Sequence, residues 1–387
     1  MLLIMSEAAR GTRALNDVVR EMSFTVSHFA TPATFTELMG GQSRRIVMLA
    51  ETDITKATVE TLKAAVGRAP FAVIIAADNA SIRSAETAEV VDAFLEFDNV
   101  AWIGANYDYE KLAASARRCR RRMLKLSRQD VDNAFTDFEF VLRYQPKVER
   151  AKGGEWVTTE VEALVRWRHP EHGLIGPLEF LPEIEAFGMN GRLTDFVLRK
   201  TAAQLKTWQE QGLVLRGCIN LAPSLLNDTT IAAHFVEIVR EFGLAPNNFT
   251  FEVVEQDLSD PAARHLVTLG YLREAGFRLC LDDFRVAASS LSTFEKLPFD
   301  EIKIHASALR RAKNDPTSLK VLAAVTGLAH NLGMSVCAQG VEDQAIFEFL
   351  KTIECDKMQG YLISEAVMPE IIRKVYSAGS ASKANVA

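Results

Sequence analysis

Polar residues interrupt a series of apolar runs in the second part of this 387-residue chain. Glu162 lies in EVEALVRW, Asn220 ends CIN, Glu252 sits in FTFEVVE, and Asp282 and Asp283 close RLCLDD. Further along, Lys303 lies in EIKI, Gln339 ends SVCAQ and Gln359 ends DKMQ. One carboxylate among hydrophobes is ordinarily a satisfied structural group. Four carboxylates from three runs, brought to one place, repel one another unless they are protonated or bound to cations. Their hard oxygens suit Mg²⁺, Mn²⁺ or Ca²⁺ rather than zinc. Adjacent carboxylates such as Asp282 and Asp283 could bridge two ions, an arrangement suited to in-line attack on a phosphodiester. Lys303 would then neutralise a phosphate or orient a water. On spacing alone two readings stay open: a metal or phosphate site, and a structural polar network.

The elements that must position these residues read as repeated strand and helix. Strands are predicted at Phe138 to Val148, Val161 to Trp167, Gly217 to Leu221, Thr250 to Val254, Arg278 to Leu281, Glu301 to Ile304, Ser335 to Ala338 and Met358 to Ile363. Helices are predicted at Arg192 to Gln211, Thr230 to Phe242, Ala262 to Ala275, Thr317 to Leu332 and Gln344 to Lys351. Eight strands alternating with helices predict an α/β barrel over 138–376, and barrels build their sites at the C-terminal strand ends. The first part also alternates. Strands are expected at Leu2 to Met5, Phe24 to Ala30, Arg45 to Ala50, Phe71 to Ala76 and Val100 to Ile103. Helices are expected at Ala8 to Met22, Ile54 to Gly67 and Ala85 to Phe97, giving a smaller parallel-sheet domain over 1–125. One long helix from Tyr109 to Asp130 follows, so 126–137 is expected to be the end of a linker helix, and 377–387 a disordered tail.

Composition narrows the classes. Hydrophobic residues at 48% and charged residues at 24% fit a globular chain, not a disordered one. A net charge of −6 leaves no broad footprint for nucleic acid. The basic run Arg117 to Lys125, RRCRRRMLK, is either an anion-binding patch or a solvated helix face, and the acidic whole favours the second. The five cysteines are scattered and show no CxxC, so they read as reduced thiols in a cytoplasmic protein. The opening MLLIM is too short for a membrane span or a signal peptide.

EALVRWRHPEHGLIGPLEF from Glu162, INLAPS from Ile219, FEVVE from Phe251, LDDF from Leu281, EIKIH from Glu301 and MQGYL from Met358 together resemble the EAL domain of bacterial cyclic di-GMP phosphodiesterases. The resemblance runs through 136–378 in one order. It implies a modified TIM barrel, cyclic di-GMP as ligand and, in active members, hydrolysis to pGpG with Mg²⁺ or Mn²⁺. By the match, Glu162, Asn220, Glu252, Asp282 and Asp283 stand at metal-ligand positions, and Lys303 at the lysine near the attacking water. Arg166 stands at a phosphate contact, Gln359 at the family's site glutamine, and Gln145 and Leu164 along the ligand groove. Glu255 stands at the glutamate that steadies the loop after the double aspartate.

The departures bear on activity. Active members read AEGVE where this chain has AQGVE, so Gln339 replaces a catalytic glutamate. An amide keeps an oxygen but has neither the charge to hold a dication nor the basicity to take a proton. Losing a general base typically costs about 10²–10⁴ in rate. Active members read DFGTGYSSL where this chain has DFRVAASSL, which removes both glycines and sets Arg285 beside the carboxylates. There it either pairs with Asp282 or Asp283 or points to solvent. His305 replaces the aspartate of KID, and the proline after QGYxxS is missing.

The first part resembles a receiver (flavodoxin-like) domain in its element order alone. It lacks the acidic pair, the acceptor aspartate and the lysine of a working receiver, with Ala50 or Glu51 at the acceptor place. Docking of a protein partner or a second copy is the expected role. The sequence therefore predicts a degenerate EAL protein in cyclic di-GMP signalling, a non-hydrolysing receptor or scaffold, with Mg or Mn at a weakened site or no metal. The alternative is a weakly active phosphodiesterase. No nucleic-acid partner and no membrane span are expected.

Overall fold

The computed structural model describes residues 2–6, 13–21, 24–40, 44–66, 71–77, 99–103, 107–151, 153–254, 263–284, 299–313 and 315–376. The expected helix Ala85 to Phe97 and the tail from Ser377 lie outside them. The chain divides into two compact units, residues 1–139 with 167–183, and residues 140–166 with 184–387.

The first unit holds a parallel sheet of β1 (Leu2–Ser6), β2 (Thr25–Phe29), β3 (Arg45–Ala50), β4 (Phe71–Ala76) and β5 (Val100–Ile103). Its order is β2-β1-β3-β4-β5, that of a doubly wound fold. Strand alternation splits the apolar runs between two cores. Met5, Ile46, Met48 and Ile74 pack with α1 (Arg13–Glu21) and α4 (Tyr109–Leu124), while Ile4, Val47, Leu49 and Val73 pack with α2 (Pro32–Met39) and α3 (Lys56–Ala65). IVMLA of β3 and FAVIIA of β4 are apolar throughout because both faces are covered.

Two expectations about helices need correction. Helix α2 was not anticipated, although Thr31 caps it, reciprocally with Thr34, and Pro32 opens it. The long helix Tyr109 to Asp130 is in fact two. Helix α4 stops at Leu124 because Lys125 adopts a left-handed conformation, φ 47° and ψ 47°. Ser127 then caps a new helix, α5 (Arg128–Thr136), in a reciprocal box with Asp130. The segment 126–137 thus carries a helix of its own over Arg128–Thr136.

The larger sheet contains β6 (Phe140–Arg150), β7 (Trp156–His169), β8 (Gly173–Ile175), β9 (Arg216–Asn220), β10 (Phe249–Val254), β11 (Arg278–Phe284), β12 (Glu301–Ile304), β13 (Ser335–Gln339) and β14 (Lys357–Gln359). Its order is β6-β14-β13-β12-β11-β10-β9-β7-β8, and β6 also pairs with β7, which closes eight strands into a barrel. Strand β6 runs antiparallel to β14, whereas the pairings from β7 through β9 to β14 are parallel, so this is a modified (β/α)₈ barrel. The expected strands and helices of 138–376 are present to within a few residues. Helices α6 (Pro177–Ala186), α10 (Ala306–Ala312) and α13 (Pro369–Tyr376) are additional.

Alternation again divides the residues. The odd-numbered Phe249, Phe251 and Val253 face the helices, where Phe251 stacks on Phe235 of α8 (Ile231–Glu241) with ring centroids 5.0 Å apart. Glu252 faces the barrel interior, which carries a stack of charged side chains.

Candidate active site

Four strands each send two polar residues, spaced i and i+2, into the barrel: Gln145 and Lys147, Glu160 and Glu162, Glu301 and Lys303, Lys357 and Gln359. Side chains two apart on a strand share a face, so each strand contributes to two levels of the interior.

At the upper level Lys303 is fully buried and stands at the centre of the carboxylates. Its Nζ lies 2.8 Å from Glu162 Oε2, 2.9 Å from Glu252 Oε2 and 3.7 Å from Asp282 Oδ2. Gln359 is fully buried and donates from Nε2 to Glu162 Oε2 at 2.9 Å and to Gln145 Oε1 at 3.0 Å. Asn220, at the exposed end of β9, donates from Nδ2 to Glu162 Oε1 at 3.0 Å. Gln145 donates in turn to the Ser364 carbonyl at 3.0 Å. Leu164 and Arg166 continue the Glu160–Glu162 face of β7 and are half-buried, with Arg166 Nη1 donating to the Val165 carbonyl.

The double aspartate is divided by backbone geometry. The pairing of β11 with β12 shifts register between Leu281 and Phe284, and Asp283 adopts φ 58°. Such a bulge re-aims side chains. Asp282 faces Lys303, while Asp283 Oδ1 lies 3.2 Å from His305 Nε2. His305 caps α10 through Nδ1, which accepts from the Ser307 amide. The five expected metal positions are thus not one cluster in this arrangement: Asp283 turns to an imidazole, away from the Lys303 group.

Gln339 ends β13 opposite Gln359 and is half-buried. The two strand ends are locked by a close approach at Gly360. A Cβ there would fall 2.2 Å from the Val341 nitrogen, whose N–H donates to the Gln359 carbonyl at 3.0 Å. Glu255 and Arg285 lie outside the described residues.

Sequence reasoning missed the level beneath. Lys147 Nζ lies 2.5 Å from Glu252 Oε1 and 3.6 Å from Glu301 Oε1. Lys357 Nζ binds Glu160 at 2.7 Å and Glu301 at 2.6 Å, and Arg216 binds Glu160 at 2.7 Å from below. The signal was present in the i, i+2 polar pairs of TEVE, EIKI and QPK.

The electrostatics follow from this stacking. Burial pushes Glu162 up, but the Lys303 and Lys147 ammoniums pull it further, down to about 2. Glu160 and Glu301 are also held below the usual range: burial raises them, and Lys147 and Lys357 outweigh it. Glu252 is pushed up to about 7 by burial and by Glu162, against the pull of Lys147 and Lys303. Asp282 is raised by burial despite Lys303. Burial would lower Lys303, yet Asp282, Glu162 and Glu252 raise it well above its ordinary value. The count explains the split. Five buried carboxylates, Glu160, Glu162, Glu252, Asp282 and Glu301, face four cations, Lys147, Lys303, Lys357 and Arg216, the last also reaching the half-buried Glu149 at 3.7 Å. One negative charge is in surplus, and it falls at the upper level.

The oxygen donors suit a hard cation chemically, but their arrangement does not fit one. Glu162, Glu252 and Asp282 already share the Lys303 ammonium, and Asn220 presents its amide N–H to Glu162. Among the described residues, no three His, Cys, Asp or Glu groups are placed to hold a metal ion. The cysteines are all free and buried, and Cys218 rests its thiol 3.4 Å from Glu160 Oε2.

Comparison with known proteins agrees with this architecture. The EAL-domain family model matches residues 128–366. A cyclic di-GMP phosphodiesterase of Pseudomonas aeruginosa is 34% identical over 235 residues, which are 61% of this chain and 40% of that one. The cyclic di-GMP phosphodiesterase RocR of the same organism is 31% identical over 288 residues, 72% of each chain. Among solved structures, the PaMucR phosphodiesterase in complex with c-di-GMP shares 31% identity at a TM-score of 0.58, covering 63% of this chain and 98% of that one. The chain spans 30–40% of the length of several curated relatives that it matches. With more than half of its residues matched and the motif side chains gathered at the strand ends of one barrel, the chain belongs to the EAL-domain family.

Proposed function

We propose that this protein is a non-hydrolysing receptor for cyclic di-GMP, an EAL barrel that keeps a binding groove and has lost catalysis. The observation that carries the reading is the neutral Gln339 at the strand end next to Lys303 and Gln359, beside carboxylates whose repulsion the Lys303 ammonium already offsets. An internal cation offsets the repulsion that a bound dication would otherwise offset. Arg166 supplies a phosphate contact, and Gln145, Leu164 and Gln359 line the groove beside it. Residues 1–125 act as a receiver-like domain without a phosphorylation site, docking a protein partner or a second copy, and 138–376 as the EAL domain. The β2-β1-β3-β4-β5 order supports the receiver-like reading. The setting is cytoplasmic; among the described residues no helix is long and apolar enough to cross a membrane.

The second reading is a weakened phosphodiesterase. Its support is that Glu162, Asn220, Glu252, Asp282 and Lys303 still meet at one place. One experiment separates the two. Purified protein is incubated with cyclic di-GMP and Mg²⁺ or Mn²⁺, pGpG is followed by chromatography, and binding is measured by calorimetry. Binding without turnover is expected. Metal-dependent pGpG release above a barrel-dead control, even about 10²–10⁴ below ordinary rates of order ~1 s⁻¹, establishes the second reading, and absence of binding refutes the receptor.

A further inference from the structure

The basic run of helix α4 is not absorbed by the barrel. Arg118, Arg121, Arg122 and Lys125 line a cavity of about 440 Å³, together with Glu179 and Glu183 of α6, all within the first unit. The spacing 118, 121, 122 puts three of the cations at i, i+3 and i+4 separations on α4, where like charges repel, and Lys125 follows as its cap. The two carboxylates are too few to balance four cations, and both are engaged. Glu179 is held from behind by the buried Arg120, whose Nε lies 2.8 Å from its Oε1, while Arg120 Nη2 also donates to the Leu174 carbonyl at 3.0 Å. Glu183 pairs with Arg121 at 3.3 Å. Four cations against two carboxylates leave an excess of positive charge facing one cavity, in a chain whose net charge is −6.

We propose that this cavity binds a small anion carrying at least two phosphate groups. Arginine forks match phosphate oxygens in two-pronged contacts. The volume lies in the range of small-molecule pockets, which typically span roughly 300–1,000 Å³. Such an anion adds negative charge to a lining in which cations outnumber carboxylates and reduces the repulsion among them. The acidic remainder of the chain disfavours an extended nucleic acid, whose binding needs a broad cationic surface.

The test uses the full chain in calorimetry at low salt, with inorganic pyrophosphate, with GTP and with a short single-stranded DNA. Pyrophosphate and GTP are expected to bind, and the combined R118A, R122A and K125A variant to weaken both by about tenfold or more. These side chains are exposed, and circular dichroism confirms that the variant folds. Pyrophosphate is expected to raise the melting temperature of the parent and not of the variant. Equal binding of pyrophosphate and GTP assigns recognition to the phosphates alone; tighter binding of GTP assigns a nucleotide. No binding of either, binding that survives in the variant, or tighter binding of DNA than of both overturns the proposal.

Discussion

Lys147, which no sequence motif singles out, holds the Glu252 carboxylate from beneath while Lys303 holds it from above. Each ammonium binds a different oxygen, so the Glu252 head is fixed on both sides. Replacing Lys147 by Met leaves Glu252 and Glu301 short of a buried countercharge. Breaking a buried pair on one side typically costs about 3–5 kcal/mol, so Lys147→Met is expected to lose stability of that order in denaturant titrations. A loss below ~1 kcal/mol would show the network to be slack. At the rim, Gln339→Glu adds a carboxylate beside the surplus negative charge. It is expected to tighten Mn²⁺ binding measured by calorimetry, since the added charge favours a dication over Lys303 alone. Unchanged Mn²⁺ affinity would mean that Gln339 does not face the carboxylate group.

At the scale of elements, strand ends and helix ends are held by backbone geometry. Helix α12 (Gln344–Thr352) ends with Glu354 at φ 58°, its N–H bonded to Lys351 O and the Cys355 N–H bonded to Leu350 O. That double bond pattern normally takes glycine at the left-handed position. A left-handed conformation costs an ordinary residue about 1–2 kcal/mol. Glu354→Gly is therefore expected to raise stability by up to ~1 kcal/mol once the added freedom of the unfolded chain is set against it. The opposite outcome is expected at Gly360, where a Cβ would meet the Val341 backbone at 2.2 Å. Gly360→Ala should cost about 1–3 kcal/mol by overpacking and displace Gln359 relative to Gln339. Thermal melts of both variants check the pair, and a neutral Gly360→Ala would contradict the close approach.

For the molecule as a whole, the barrel's buried charges set how stability responds to pH. Glu160, Glu162 and Glu301 have lowered folded-state pKa values, so their contribution is present above the unfolded carboxyl range, near ~4.3, and is lost as pH falls below it. Glu252, raised to about 7, acts in the other direction. Between the unfolded range and about 7 the folded chain holds a proton that the unfolded chain has released, so stability falls as pH rises through that window. Melting temperature is expected to peak at mildly acidic pH, near ~5, and to fall on both sides. A profile that rises steadily to pH 8 would show that Glu252 is ionised throughout.

The repeated strand–helix pattern, the barrel and most of its site residues were legible because alternation and punctuation are local. Glu162, Asn220, Glu252, Asp282, Lys303 and Gln359 all stand where strand ends must converge once eight strands close. The split at Lys125 and the helix from Pro32 were marked by capping residues, Ser127 and Thr31, that the apolar periodicity did not reveal. What the sequence could not decide is which distant charges meet. That Glu160 and Glu162 share one face follows from the strand period, but that Lys357, 197 residues away, binds Glu160 depends on barrel closure and register. Likewise DD reads as one acidic pair. Only the shift between Leu281 and Phe284 sends Asp282 to Lys303 and Asp283 to His305, because a bulge re-aims neighbouring side chains that the sequence shows side by side.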